Sequence, residues 1–267
     1  VNRVLTFGSL FAGIGGFDLG FERAGMECRW QVEIDPYCQK VLTKHRPGIG
    51  QWDDARTFPP NPAEDWSVDV ICGGPPCQPA SNAGLRLGAD DERWMWPDTI
   101  RIIRKMGPRF VVLENPPALL SLDDGRAFGG ILGALAECGL NAEWDVLPAG
   151  AFGLPHFRER LFVVAYADRE RRQRILGDFK AKCSAPFWKE GGIVRKQSAL
   201  ESYRGIIERL GYDLRRPGAS GIANGIPNRV HRLTGLGNSV PPIVSEYLGR
   251  RIIAAAGSSS TKEGMGV

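Results

Sequence analysis

The sequence predicts an α/β fold, a sheet flanked by helices in the manner of nucleotide-binding proteins, and three observations predict it. A first apolar strand, Arg3 to Leu10, runs into a glycine-rich turn, Phe11 to Gly16, and then a helix that Gly25 closes. The second strand ends on an acid, Glu33. Later apolar runs each deliver a reactive or ionisable residue at their carboxyl ends, where ligands of open α/β sheets lie.

The bulk numbers set the frame for these elements. At 267 residues, 43% of them hydrophobic, the chain can bury a sizeable core. No apolar run reaches membrane-spanning length, and VNRVLTFGSLF enters a strand without a signal-peptide pattern, so the expected location is cytoplasmic. Six cysteines without a CxxC pair and three histidines predict reduced thiols and no metal site. Arg169 to Arg232 holds 15 Lys and Arg against 6 Asp and Glu, while the rest holds 19 against 24. A segment so basic either faces a polyanion or is a solvated surface.

In chain order, Cys28 to Ile34 is the second strand, and Asp35 with Pro36 opens a helix as N-cap and first turn. Glu33 at its tip is placed to accept from ribose hydroxyls, or else faces solvent. Asp53 and Asp54 follow a weak third strand, as acceptors for an adenine amino group or as loop caps. Val68 to Cys72 is the next strand, breaking at Gly73 and Gly74 into a loop stiffened by Pro75, Pro76 and Pro79 with Cys77 in its middle. A thiol carried past a buried strand on such a loop suits a nucleophile, although free cysteines are often simply buried.

The segment SNAGLRLGADDERWMWPD reads as a mobile flap leading into an amphipathic helix that runs to about Met106. Phe110 to Leu113 is a buried strand delivering Glu114, either a carboxyl that manages a proton or a helix cap. A helix over Ala127 to Cys138, stopped by Gly139, precedes strands at Trp144 to Leu147 and Leu161 to Ala165. Arg158 and Arg160, two apart before the last strand, point to one face, towards an anion or a carboxylate in the site, or else form structural salt bridges. From Asp168 the regular alternation stops and a small second domain is predicted over 168–238. Regular structure resumes with a helix from about Pro242 to Ala256, before a disordered tail at 258–267.

Five stretches, FAGIGGFDLGFERAG, GGPPCQPAS, ENPPALL, FGLPHFRERLFVVA and GLGNSVPP, closely resemble in order the signature blocks of the DNA (cytosine-5)-methyltransferases of bacterial and phage type. The resemblance implies a Rossmann-like catalytic domain with a mixed sheet flanked by helices that binds S-adenosylmethionine (SAM), formed by 1–167 and completed by 239–257, with a small inserted target-recognition domain. It implies Cys77 as nucleophile, Glu114 as the proton-managing acid, and Arg158 and Arg160 as the base-orienting pair. It places SAM contacts at Phe11, Ala12, Gly13, Ile14, Gly15, Glu33, Ile34, Asp54, Ala55, Asn238 and Val240. The implied partner of this monomer is double-stranded DNA, with a cognate restriction endonuclease as a further candidate.

The chemistry of cytosine explains that set of residues. C5 is too electron-poor to attack a sulfonium methyl group until a thiolate adds at C6, and a free thiol near pKa ~8.5 is only a few per cent thiolate at neutral pH. The base must also leave the stacked duplex before any of this can occur. Three positions depart from the family pattern: ENP stands where ENV is common, Ile34 where an aromatic is frequent, and His156 at a common Gln position. A nicotinamide-dependent oxidoreductase shares the strand, turn and acid but explains neither Cys77 nor Glu114. An RNA cytosine-5 methyltransferase and a catalytically inactive DNA-binding relative are the remaining alternatives.

Overall fold

A computed structural model describes residues 3–61, 64–76, 94–154, 158–167, 175, 235, 236 and 238–257. Cys77, the flap after it, His156, almost all of 168–234 and the tail at 258–267 lie outside the described residues. By the density of its internal contacts the chain divides into two compact units. One comprises Val1–Leu147, Glu159–Gly177 and Ser239–Val267, and the other Pro148–Arg158 and Asp178–Asn238.

In the first unit, strands β1 (Thr6–Leu10), β2 (Glu27–Val32), β3 (Gly50–Trp52), β4 (Val70–Gly73), β5 (Phe110–Asn115), β6 (Leu140–Pro148) and β7 (Glu159–Ala167) form one sheet in the order β3-β2-β1-β4-β5-β7-β6. The pairs β1–β2, β1–β4, β2–β3 and β4–β5 are parallel, whereas β5–β7 is antiparallel. The sheet is therefore mixed, as expected. β1 stands between β2 and β4, so the chain turns to opposite sides after these neighbouring strands, the arrangement that opens a crevice at their carboxyl ends.

Helices α1 (Gly16–Ala24), α2 (Pro36–His45), α3 (Trp96–Met106), α4 (Arg126–Glu137) and α5 (Pro242–Gly257) occupy the predicted places. Their ends follow local chemistry. Asp35 caps α2 by accepting from the backbone N–H groups of Tyr37 and Cys38, at 2.8 and 2.9 Å. Gly25 ends α1 at φ 101°, donating to the carbonyls of Glu22 and Phe21. No described helix is long and apolar enough to cross a membrane.

Successive strand residues alternate between two apolar layers. Val111 and Leu113 pack with Ile100 and Ile103 of α3 and with Ile131 and Leu135 of α4. On the opposite face Phe162 of β7 meets Phe17 of α1 edge-on, ring centres 6.4 Å apart, and Phe7 of β1 meets Phe21 at 5.4 Å. Large side chains such as Trp30, Phe21, Phe110 and Phe162 are fully buried, each worth roughly 1.5–3 kcal/mol relative to exposure. Helix α5 lies along α1, where Gly16, Gly20 and Ala24, spaced four apart, let the backbones approach. A Cβ on Gly20 would overlap the Ser245 hydroxyl and the Pro242 carbonyl, and Ser245 Oγ donates to the Gly16 carbonyl at 3.0 Å.

The strands differ from expectation mainly in length. β1 starts at Thr6 rather than Arg3, and β2 ends at Val32, leaving Glu33 just beyond it. β4 runs to Gly73 because that residue pairs with Leu10. β5 runs on through Glu114 and Asn115, which pair with Phe162 and Leu161 of β7. β6 and β7 are each nine residues long.

Candidate active site

The turn after β1 is bound from both sides. Ala12 N–H donates to the carbonyl of Val32 at 3.0 Å, and Gly15 N–H closes the turn on the carbonyl of Ala12 at 2.9 Å. Phe11 and Gly13 both have positive φ, 52° and 58°. For Gly13 this costs little, whereas for Phe11 it is a strained conformation held by its surroundings. Glu33 supplies much of that hold. Its Oε2 accepts from Gly13 N–H at 2.6 Å and its Oε1 from Asp35 N–H at 2.8 Å.

Burial pushes the Glu33 carboxyl above the ordinary range, and the two N–H donors partly offset that. Each oxygen retains a second lone pair, so the acid that fixes the turn can also accept from a ligand. Phe11, Glu33, Ile34, Asp54 and Ala55 line a cavity of about 240 Å3, together with Val32, Asp53, Arg56, Pro76 and Met95. Ile34 is 62% exposed at its rim, an apolar side chain kept in solvent. Arg56 grips Asp54 through Nε and Nη2 at 2.8–3.0 Å, and these bonds hold the Asp54 carboxyl below its ordinary value.

The second half of the site stands at the carboxyl ends of β4 and β5. Glu114 is 7% exposed, and the guanidinium Nε of Arg160 lies 2.8 Å from its Oε1. Its Oε2 faces the loop after β4, where a Cβ on Gly74 would stand 3.2 Å away. Asn115 ties the same loop to β5 by donating through Nδ2 to the Pro75 carbonyl at 3.3 Å. A cation and a loop of minimal bulk thus fix the carboxylate from two directions, leaving an acid beside the segment that leads to Cys77.

The predicted residues distribute as follows. Phe11, Glu33, Ile34, Asp54 and Ala55 line one cavity, with Ala12, Gly13, Ile14 and Gly15 in the adjoining turn. Val240 is buried, its backbone against Gly16. Glu114 and Arg160 form an ion pair. Arg158 precedes β7 and belongs to the second unit, as does Asn238, which is exposed. Cys77 lies outside the described residues. Sequence reasoning missed Asn115, Met95 and the buried Asp18; a charged residue at an apolar-face position of FDLGF was the available signal for Asp18.

Comparison with known proteins follows the same lines. A family model described as C-5 cytosine-specific DNA methylase matches residues 5–200. The type II methyltransferase M.BsuFI of Bacillus subtilis is 39% identical over 163 residues, covering 61% of this chain and 39% of that protein. M.AquIA of Picosynechococcus is 34% identical over 175 residues, covering 58% and 69%. M.NgoMIV of Neisseria gonorrhoeae is 35% identical, covering 58% and 49%, so the chain spans about half the length of the curated relatives it matches.

Two solved structures share the fold. A putative DNA modification methyltransferase encoded within an Escherichia coli prophage has a TM-score of 0.64 at 18% identity, covering 95% of this chain and 99% of that one. The Entamoeba histolytica methyltransferase EhMeth has a TM-score of 0.63 at 15% identity, covering 96% and 99%. With a glycine turn tied to an acid at one strand end, a paired glutamate at another, and a family model spanning most of the sequence, the chain belongs to the C-5 cytosine-specific DNA methylase family.

Proposed function

We propose that this protein methylates C5 of a flipped-out cytosine within a specific duplex DNA sequence. The observation that carries the reading is the Glu114–Arg160 pair together with the cavity of Phe11, Glu33 and Asp54, both at strand ends of one sheet in a C-5 cytosine-specific methylase fold. The residues fit SAM as the second reactant. Glu33 keeps acceptor capacity for ribose hydroxyls, Ile34 offers an apolar face to a purine, and Asp54 stays anionic at the far wall. Bound there, SAM supplies an electrophilic methyl group.

The protein's own residues carry the rest. The Cys77 thiolate adds to C6 of the cytosine, and the electron pair displaced from the C5–C6 bond passes into the ring. Glu114 holds a proton at N3 to take up that charge, and Arg160 holds Glu114 in place. Once C5 has gained its methyl group a base removes the C5 proton, and the C6–S bond breaks to return the thiolate. Arg158 is assigned to orienting the base with Arg160, and Asn238 to contacting the cofactor. Residues 168–238 are assigned to target recognition, where Lys and Arg meet phosphates and a few side chains read base edges.

Duplex DNA carrying 5-fluorocytosine tests the reading, because fluorine blocks loss of the C5 substituent and leaves the enzyme attached at C6. With SAM present the native protein is expected to form this adduct and Cys77→Ser none. An adduct of equal yield from Cys77→Ser, or methyl transfer to RNA with none to DNA, overturns it.

A further inference from the structure

Asp18 is fully buried in the first turn of α1, and the chemistry above does not use it. Its Oδ2 accepts from Ser9 Oγ at 3.0 Å and its Oδ1 from Gln31 Nε2 at 2.5 Å, with Cys28 Sγ 3.7 Å from Oδ1. Ser9 lies two residues before Phe11, and Gln31 two residues before Glu33. One carboxylate therefore joins β1, β2 and α1, the three elements whose ends make the cofactor turn and its acid.

Such an arrangement is expensive unless it is needed for geometry. Burial pushes the Asp18 carboxyl upward, and the bonds from Gln31 and Ser9 and the charge of Arg46 only partly offset this. An apolar side chain of similar size would avoid the cost. Arg46 adds a second tie to the same place. Glu22 of α1 holds it through Nε and Nη2 at 2.6 and 2.8 Å, and its Nη1 stands 2.8 Å from where a Cβ on Gly15 would lie. The ionisable groups around Asp18 are thus Arg46, Cys28 and Cys72, with Glu22 behind Arg46.

We propose that Asp18 is a positioning residue that locks the Phe11–Gly16 turn against Glu33 in the geometry that receives SAM. This rests on the cofactor reading above. A carboxylate spanning two adjacent strands fixes their relative height, and that height sets the distance between Gly13 N–H and Glu33 Oε2. Asn at this position keeps both bonds, with its oxygen to Gln31 and its amide donating to the Ser9 hydroxyl, whereas Ala keeps neither.

The test uses the full chain and two readouts, the kinetics of methyl transfer and amide hydrogen exchange without cofactor. Asp18→Ala is expected to raise the KM for SAM about tenfold with kcat at saturation within twofold. Its amides at Ala12, Gly13 and Gly15 are expected to exchange at least tenfold faster, while those of β4 and β5 keep native protection. Asp18→Asn is expected to restore both. Native KM and native turn exchange in Asp18→Ala overturn the proposal, and so does an equal loss of protection in β4 and β5, which marks a general stability effect. Should Asp18→Ala not fold, Gln31→Met removes one of the two bonds and is judged by the same criteria. A native protein that transfers nothing from SAM overturns the cofactor reading, and turn exchange still decides the role of Asp18.

Discussion

Arg160 sets its Nε 2.8 Å from Oε1 of Glu114 across the antiparallel seam of β5 and β7. Glu114 pairs with Phe162, and Arg160 lies two residues before Phe162, so all three side chains share one face of the sheet. The pair acts as one unit. Arg160→Ala is expected to lower kcat/KM about a hundredfold, ~2.7 kcal/mol of transition-state stabilisation. Arg160→Ala combined with Glu114→Gln should be scarcely worse than Glu114→Gln alone, and steady-state kinetics of the three variants measure that non-additivity.

Gly74 gives Glu114 its space. With a methyl group on residue 74 standing 3.2 Å from Oε2, the carboxylate must give way by a few tenths of an ångström. Gly74→Ala is therefore expected to lower kcat about tenfold, ~1.4 kcal/mol, while moving the melting temperature by less than a few degrees. Single-turnover methylation and a thermal melt check the two halves.

Asp69 at the foot of β4 governs stability in acid. Burial raises its pKa, but bonds from Thr6 N–H at 2.8 Å, Thr6 Oγ1 at 3.1 Å and Arg3 at 2.5 Å outweigh burial and hold it below 3.8. The unfolded chain then binds this proton more readily than the folded one, so stability is in hand above pH 3.8 and lost as pH falls through the folded value. Asp69→Ala, which also strands the Thr6 N–H, should cost about 2 kcal/mol at pH 7 in urea titrations. The difference from native should shrink at pH 3.

Thiol reactivity should separate the cysteines. Burial raises the thiols of Cys28 and Cys72 far above their ordinary value, and burial beside Glu33 and Asp35 pushes Cys38 up to about 12. Brief alkylation by iodoacetamide at pH 8, mapped by mass spectrometry, should spare these three and modify Cys77. Labelling of Cys28 or Cys72 ahead of Cys77 would mean that a thiolate is not poised at Cys77.

Helix α5 depends on the small residues of α1. Gly20→Ala forces a methyl group into the Ser245 hydroxyl and the Pro242 carbonyl, and should destabilise the protein by roughly 2–3 kcal/mol. Ala24→Gly at the far end of the same ridge should cost only about 1 kcal/mol, mainly through helix propensity. Denaturant melts distinguish a clash from a propensity effect by that contrast.

What the sequence makes legible here is what is encoded locally. The glycine turn, the Asp35 cap, the Gly25 stop and Glu33 at a strand tip each depend on a few neighbouring residues, and each stands where expected. The sequence offers Glu114 as a candidate acid and Arg160 as facing a carboxylate in the site, but that the two are partners is set by the register of two strands about fifty residues apart. Asp18 was hidden for the same reason: its meaning lies in Ser9 and Gln31 on other elements. Periodicity sets Arg158 and Arg160 two apart, and β7 begins between them at Glu159.

The packing of α5 on α1 also has a temporal side. Ser245 and Gly16 are 229 positions apart, so at ~5–20 residues per second a ribosome takes roughly 10 to 50 s to deliver the second helix after the first has emerged. Throughout that interval the Gly16–Gly20–Ala24 ridge has no helix to cover it, and a long-range contact of this kind is among the slowest to form. The nascent chain therefore carries Glu114 and Arg160 well before α5 can cover α1. Synthesis interrupted before residue 239 yields a polypeptide whose α1 ridge is left without the helix that packs on it.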